Sequence, residues 1–125
     1  KPTPACGFGM GIERLLLLMQ AQGLQQSAPV MDAYIACFGD AATGFALQAA
    51  QRLRQAGLAV QLHCGGGSFK SQMRKADASG ARVAVIIGDD EVASQQLSIK
   101  PLRGEGKQQL VALADAATYI KKLED

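Results

Sequence analysis

Apolar residues fall along this chain with two periods. Ile12, Leu15, Leu16 and Met19 recur at i, i+3, i+4 and i+7, which predicts a helix with one apolar face; Leu17 and Leu18 widen that face beyond what a terminal helix of a small domain needs. The stretch "AQGLQQSAPV" then mixes Gly, Ser, Pro and polar residues and reads as a linker. After it, "MDAYIACF" predicts a strand, and Ala42, Phe45, Ala46, Ala49 and Leu53 form the stripe of a helix with Gly57 just past its end. "LAVQLH" predicts a second strand. Ser68 is a candidate N-cap for a helix running to about Ser79, with Phe69, Met73 and Ala76 turned inward and Lys70 and Arg74 together on the outer face. "RVAVIIG" is apolar and β-branched throughout, which suits a strand covered on both faces.

Three strands alternating with two helices make two βαβ units. Right-handed crossovers with the helices on opposite faces give the order 2-1-3. Beyond Leu97 the period shortens to strands, "LSIKPL" and "QQLVAL", around the turn "RGEGK", with Pro101 expected at a bulge or an edge. Ala116, Tyr119, Ile120 and Leu123 form the stripe of a closing helix after Asp115, a candidate N-cap. The expected architecture is a three-layer α/β domain on a mostly parallel sheet of about five strands.

Composition narrows this only slightly. A chain of 125 residues, 48% hydrophobic and 5% aromatic, fits one compact domain. The longest apolar run, Leu15 to Met19, is far short of the ~20 residues of a membrane span, and no signal-peptide pattern opens the chain, so a cytoplasmic protein without a membrane partner is expected. The opening "KPTPACGFG" reads as the inside of a loop, so a fragment of a longer protein is expected. Cys6, Cys37 and Cys64 are odd in number and widely spaced, which supports neither a disulfide framework nor a zinc cluster; buried thiols are expected.

Net charge is only +2, but it is unevenly spread. From Gln51 to Arg82, six basic residues (Arg52, Arg54, Lys70, Arg74, Lys75, Arg82) face one acid, Asp77, giving +5, and Asp89, Asp90 and Glu91 follow as an acidic cluster. Such asymmetry fits either a nucleic-acid partner or solvated helix faces.

The candidate motifs are selective in what they exclude. Gly7-Phe8-Gly9-Met10-Gly11 is not the dinucleotide fingerprint, because Ile12 stands where its spacing would continue. It serves either as a flexible lead-in to the helix or as backbone that a flat ligand approaches, with Arg14 available for phosphate. "HCGGGSFKS" fails the P-loop spacing, since Phe69 precedes Lys70, and leaves turn chemistry or close approach by a partner. His63 is the only histidine, so a histidine-rich metal site is excluded and a structural role is expected. In an open α/β sheet, ligands bind beyond the strand ends where the order reverses, which points to Phe38–Ala41 and Gly88–Val92. There Glu91 is able to accept hydrogen bonds from base edges, with Lys100 and Arg103 downstream for phosphates or bases. A solvated acidic turn is the alternative.

"GFGMGIERLLLLMQ" resembles motif 3 of class II aminoacyl-tRNA synthetases, and "HCGGGSFKSQMRKADASGARVAVIIGDDEVASQQLSIKPLRGEG" resembles the C-terminal anticodon-binding domain of bacterial histidyl-tRNA synthetases. Threonyl, prolyl and glycyl enzymes carry similar domains. The resemblance implies an anticodon-binding-domain fold with a mixed five-stranded sheet of order 2-1-3-4-5, strand 4 antiparallel. Residues 1–22 would be the end of a catalytic domain, 23–29 a linker and 30–125 the anticodon-binding domain. It also implies ATP binding by Gly9, Gly11 and Arg14, and anticodon contacts from Glu91, Lys100 and Arg103, with Lys70 and Arg74 on the RNA backbone. The whole enzyme would be a cytoplasmic homodimer that joins histidine to histidine tRNA with ATP and magnesium. Motifs 1 and 2 and the histidine-binding loops lie outside these residues, so the fragment itself is expected to be neither catalytic nor cofactor-bearing. Two other readings are a synthetase-like regulatory or binding protein without aminoacylation and a flavodoxin-like small-ligand domain.

Overall fold

A computed structural model of the chain describes residues 1–24 and 27–123. The expected linker over 23–29 therefore falls partly outside the described residues, as does the end of the expected domain at 124–125. The elements in chain order are α1 (Ile12–Ala21), β1 (Ala33–Cys37), α2 (Asp40–Gln55), β2 (Val60–Leu62), α3 (Phe69–Ala78), β3 (Val83–Ile87), α4 (Asp89–Ser94), β4 (Gln96–Pro101), β5 (Gln109–Ala112) and α5 (Ala116–Lys122).

The five strands form one sheet of order β2-β1-β3-β4-β5. β1 pairs in parallel with β2 and β3, and β4 is antiparallel to both of its neighbours, so the sheet is the mixed one the resemblance implied. Strand alternation divides the core. Ala33, Ile35, Val83, Val85, Ile87, Leu97 and Ile99 point to one face, where the stripe of α2 and Ala116 and Ile120 of α5 cover them. Tyr34 and Ala84 point to the other face, against Ala76 of α3 and Ala81. This is the three-layer arrangement, with α2, α4 and α5 on one side and α3 alone on the other. β3, apolar throughout, is buried along its whole length.

Three local expectations are corrected, and one segment gains a defined form. Phe69 does not turn inward: it is 51% exposed, and Gln72 takes the inner position at 1%. The acidic segment after β3, for which a solvated turn was the alternative, forms the six-residue helix α4. Three acids in its first turn complement the helix dipole, the Glu91 carboxylate reaches back to the Gly88 N–H, and Gln95 ends the helix in the left-handed region at φ 55°. Pro101 sits at neither an outer edge nor a bulge but at the end of β4, opposite Val83. β5 pairs only with Gln96–Ile99, so no ladder partner on that side requires a donor from Pro101. Cys6 and Cys64 are exposed and Cys37 is half-buried, so none is a fully buried thiol.

The body is fastened at its lower end by Asp32. Its carboxylate accepts from the Ala59 N–H at 2.7 Å and from Arg82 Nη2 at 2.7 Å, tying the starts of β1, β2 and β3 together. α1 stands apart in character, since none of its residues is buried.

Candidate nucleic-acid interface

Three turns converge above the carboxyl ends of β1 and β3, where the sheet order reverses. Gly39, at φ 95°, a backbone conformation that favours glycine, leads into α2, and a Cβ there would lie 2.9 Å from Asp89 Oδ1 and displace that carboxylate at the start of α4. The third turn is the glycine loop before α3. Gly65, Gly66 and Gly67 all have positive φ (99°, 65° and 105°), so the backbone itself requires glycine at three consecutive positions.

That loop is held by two buried side chains. His63 Nε2 donates to the Gly66 carbonyl at 2.6 Å, while its Nδ1 shares a hydrogen bond with the Tyr34 hydroxyl at 2.7 Å. Burial, and then the nearby Cys64, push the Tyr34 hydroxyl above its ordinary pKa. Gln72 Nε2 donates to the carbonyls of Cys37 (3.1 Å) and Gly67 (3.2 Å), and its Oε1 accepts from the Cys37 N–H at 3.1 Å. Gln72 thus latches the end of β1 to the loop that starts α3. The Ser68 hydroxyl caps α3 by accepting from the Ser71 N–H at 3.3 Å, as its sequence position predicts. Beside the cap, the rings of Phe38 and Phe69 meet at 5.5 Å between centroids.

On the α3 side the sheet is only half covered. Gln96, Ser98 and Lys100 of β4 and Leu110 of β5 face this way, by alternation with Leu97, Ile99 and Val111 on the packed face. Lys100 is exposed, Leu110 is 59% exposed, and Ser98 is covered by Gln108, whose Nε2 donates to its hydroxyl at 2.9 Å. One flank of α3 borders this open face. Asp77 on that flank meets Arg103 (Nη1 to Oδ1 2.8 Å, Nη2 to the Asp77 carbonyl 2.6 Å), and Arg74 and Lys70 precede Asp77 by three and seven residues on the same side of the helix. Among the described residues, Lys70, Arg74 and Lys100 form no hydrogen bond or ion pair and are exposed, so their charges are free to meet an anionic partner.

The residues expected to read an anticodon are therefore not one cluster. Glu91 lies at the upper end of the sheet, half-buried, with Oε2 engaged at 2.9 Å by the Gly88 N–H. Lys100 lies opposite Ala84, three residues below Ile87, which is about 10 Å down the strand at ~3.3 Å per residue. Arg103 lies lower still and is committed to the end of α3. Lys70, Arg74 and Lys100 share the open face and Arg103 marks its lower end, while Glu91 sits on α4, which packs on the other side of the sheet. Ser98, Gln108 and Leu110 were not among the expected residues. The polar alternation of Gln96, Ser98 and Lys100 in β4 was the signal that would have found that face.

Gly9 and Gly11 precede α1 and Arg14 lies in its first turn, and none of the three is buried. A Cβ on Gly9 would meet nothing within 4 Å, and Arg14 is exposed without a partner among the described residues. They form no cradle for a nucleotide by themselves. Among the described residues no group of three or more His, Cys, Asp or Glu side chains is placed to hold a metal ion, and no helix is long and apolar enough to cross a membrane.

Comparison with known proteins bears on the family and the fold. The family model for the anticodon binding domain matches residues 32–123. The chain is 64% identical over 122 residues to a histidine–tRNA ligase of Thiobacillus denitrificans, covering 98% of this chain and 29% of that protein. It is 54% identical over 120 residues to the corresponding ligase of Aromatoleum aromaticum, covering 96% and 27% respectively. The crystal structure of histidyl-tRNA synthetase from a Nostoc species superposes with a TM-score of 0.72 at 35% identity, over 93% of this chain and 28% of that one. The chain thus spans under a third of the length of these relatives. From Asp32 to Leu123, where sheet order, strand direction and family match all coincide, the chain belongs to the family of anticodon binding domains.

Proposed function

We propose that the chain is the anticodon-reading end of a histidine–tRNA ligase, which activates histidine with ATP and attaches it to histidine tRNA. The 64% identity to such a ligase across 98% of the chain carries this reading. The open half of the sheet supports it physically. A basic helix flank beside a partly apolar floor suits a single-stranded RNA loop, with phosphates held at the rim and unstacked bases turned toward the sheet. Lys70 and Arg74 are the phosphate contacts and Lys100 reaches base edges or the backbone from the floor. Arg103 serves mainly through the α3–β4 contact, and Glu91 offers only the carboxylate oxygen that Gly88 leaves over.

Residues 1–22 are the end of the catalytic domain in this reading, with Gly9, Gly11 and Arg14 forming one wall of an ATP site whose other walls lie elsewhere in the longer protein. Magnesium would accompany the ATP there. The longer protein is proposed to be a cytoplasmic homodimer, as the family resemblance implies.

Charging assays on the full-length protein test the reaction, and preferential charging with threonine, proline or glycine would overturn the reading. The surface is tested by titrating cognate and anticodon-swapped stem-loops at two salt concentrations. Lys70→Ala or Arg74→Ala should weaken all stem-loops alike and lower the salt slope by about 1. Glu91→Ala should narrow cognate discrimination more than overall affinity. Unchanged binding in every variant would move the RNA surface elsewhere.

A further inference from the structure

The floor of the open face carries one polar group in an aliphatic row. Ile86, Ser98 and Leu110 stand opposite one another on β3, β4 and β5, so their side chains leave the sheet on the same side, that of α3. Ser98 is 4% exposed, and a hydroxyl between two aliphatic neighbours costs stability unless it is bonded. It accepts from Gln108 Nε2 at 2.9 Å. Gln108 itself is exposed and immediately precedes β5. The turn before it is set closely against the end of β4, since a Cβ on Gly106 would lie 2.8 Å from Pro101 Cγ. One N–H of the Gln108 carboxamide is engaged by Ser98; the other N–H and Oε1 meet no group among the described residues. Leu110, 59% exposed, lies on the same face. Lys100 follows Ser98 by two residues on β4, about 7 Å along the strand, with its ammonium free.

We propose that Gln108, held by Ser98, is a specificity-determining residue that reads the edge of one unstacked anticodon base lying against Leu110. The inference rests on the RNA reading above and names a residue that discriminates within it. Lys70 and Arg74 meet phosphates, which are alike in every RNA, so discrimination needs a neutral group with directed hydrogen bonds. A carboxamide anchored at one N–H keeps one donor and one acceptor in the amide plane, and the edge of a nucleobase offers acceptors and donors to match them. A wrong base sets donor against donor or acceptor against acceptor and leaves a desolvated group unpaired. Ser98 is a positioning residue. Its hydroxyl restrains a long side chain before the RNA arrives, which lowers the entropy lost on binding.

The test is a titration of the full chain with the cognate anticodon stem-loop and with a set of loops in which each anticodon base is replaced in turn. Gln108→Met keeps the length of the side chain and removes its polar atoms. It should weaken the cognate loop about tenfold, the size of one base-edge contact. Loops replaced at the bases Gln108 does not touch should lose the same factor, and the loop replaced at the base it reads should hardly change, because there the contact is already gone. Ser98→Ala should give the same pattern at about threefold. Neither substitution should alter the salt slope, in contrast to Lys70→Ala. If the unaltered chain prefers the cognate loop but Gln108→Met weakens every loop alike, or none, the inference is overturned while the RNA reading stands. An unaltered chain without that preference overturns the RNA reading and this inference with it. Gln108 is exposed, so Gln108→Met should keep the thermal midpoint. Should Ser98→Ala, at its buried position, lower that midpoint, Gln108→Met alone decides.

Discussion

Leu15 to Leu18 and Val83 to Ile87 are both unbroken aliphatic runs, yet every residue of the first is exposed and every residue of the second is buried. β3 lies between β1 and β4, with helices on both faces where the hydrophobic clusters form. The α1 run has the composition of a core element without a core around it. Apolar content therefore reports that a segment is made for burial, while the location of its partner is a separate matter of topology. At ~25 cal/mol per Å², leaving such a face in water costs several kcal/mol. That cost fits the proposed origin of α1 in a larger domain.

Substitutions on the two runs should separate them most sharply. Ile87→Ala, at a position with no exposure, should cost about 2–5 kcal/mol through lost burial and the cavity left behind. Leu16→Ala, at 51% exposure, should stay within about 0.5 kcal/mol in the same denaturant titration. Hydrogen exchange reads the same contrast without substitution: amides of β3 should exchange by global unfolding and those of α1 far faster. Equal protection of the two, in a monomeric sample, would mean that α1 finds a home on this body.

Within the body, a polar residue does what periodicity assigned to an aromatic one. Gln72 is buried and makes three hydrogen bonds that join β1, the glycine loop and α3. Gln72→Leu keeps much of the volume but strands the N–H and C=O of Cys37 and the carbonyl of Gly67. A loss of about 1–3 kcal/mol is expected. Phe69→Ala, half-exposed beside Phe38, should cost less than Gln72→Leu, and the reverse order would restore Phe69 as the inward anchor.

These cases mark what was legible in the sequence. Strong periods fixed α2, β1, β3 and the first three positions in the sheet order, because burial on one or both faces leaves an alternating or continuous apolar signature. α4 escaped because six residues are too few for a 3.6 period to show, and its formation depends on Glu91 reaching the Gly88 N–H. Gln72 escaped because its inward position is set by unpaired backbone groups on another element, which no local pattern displays. The candidate surface was half legible. Lys70 and Arg74 share one helix flank as their spacing requires, but the antiparallel β4, a direction that the resemblance implied and no local pattern displays, carries Lys100 down the sheet away from Glu91.

The alkaline limb of stability offers a smaller test of the buried end of β1. Tyr34 and Cys37 both have pKa values raised above the ordinary one, chiefly by burial, so in each case the folded state holds its proton longer than the unfolded chain. Their contribution is fully present below the unfolded values and is lost as pH rises through them and on toward the raised folded values, from about pH 9 for the thiol and about 10 for the phenol. Tyr34→Phe should flatten the upper part of that decline in thermal melts. An unchanged slope would mean that the hydroxyl is no better protected folded than unfolded.

A small effect is expected at Arg103, which divides structure from recognition. Its guanidinium grips both the carboxylate and the carbonyl of Asp77, a fork that secures the end of α3 against the segment after β4. Both side chains are largely exposed, 49% for Arg103 and 65% for Asp77, so water and salt screen the pair and its worth is at most about 1 kcal/mol. Arg103→Ala should therefore lower the denaturation midpoint slightly, and less so at high salt. Arg103→Lys should recover the charge but not the fork, giving an intermediate value. If the arginine serves RNA mainly by holding α3, both variants should weaken every stem-loop by the same small factor. A large loss confined to the cognate anticodon would instead put Arg103 directly on a base, with the Asp77 contact broken on binding.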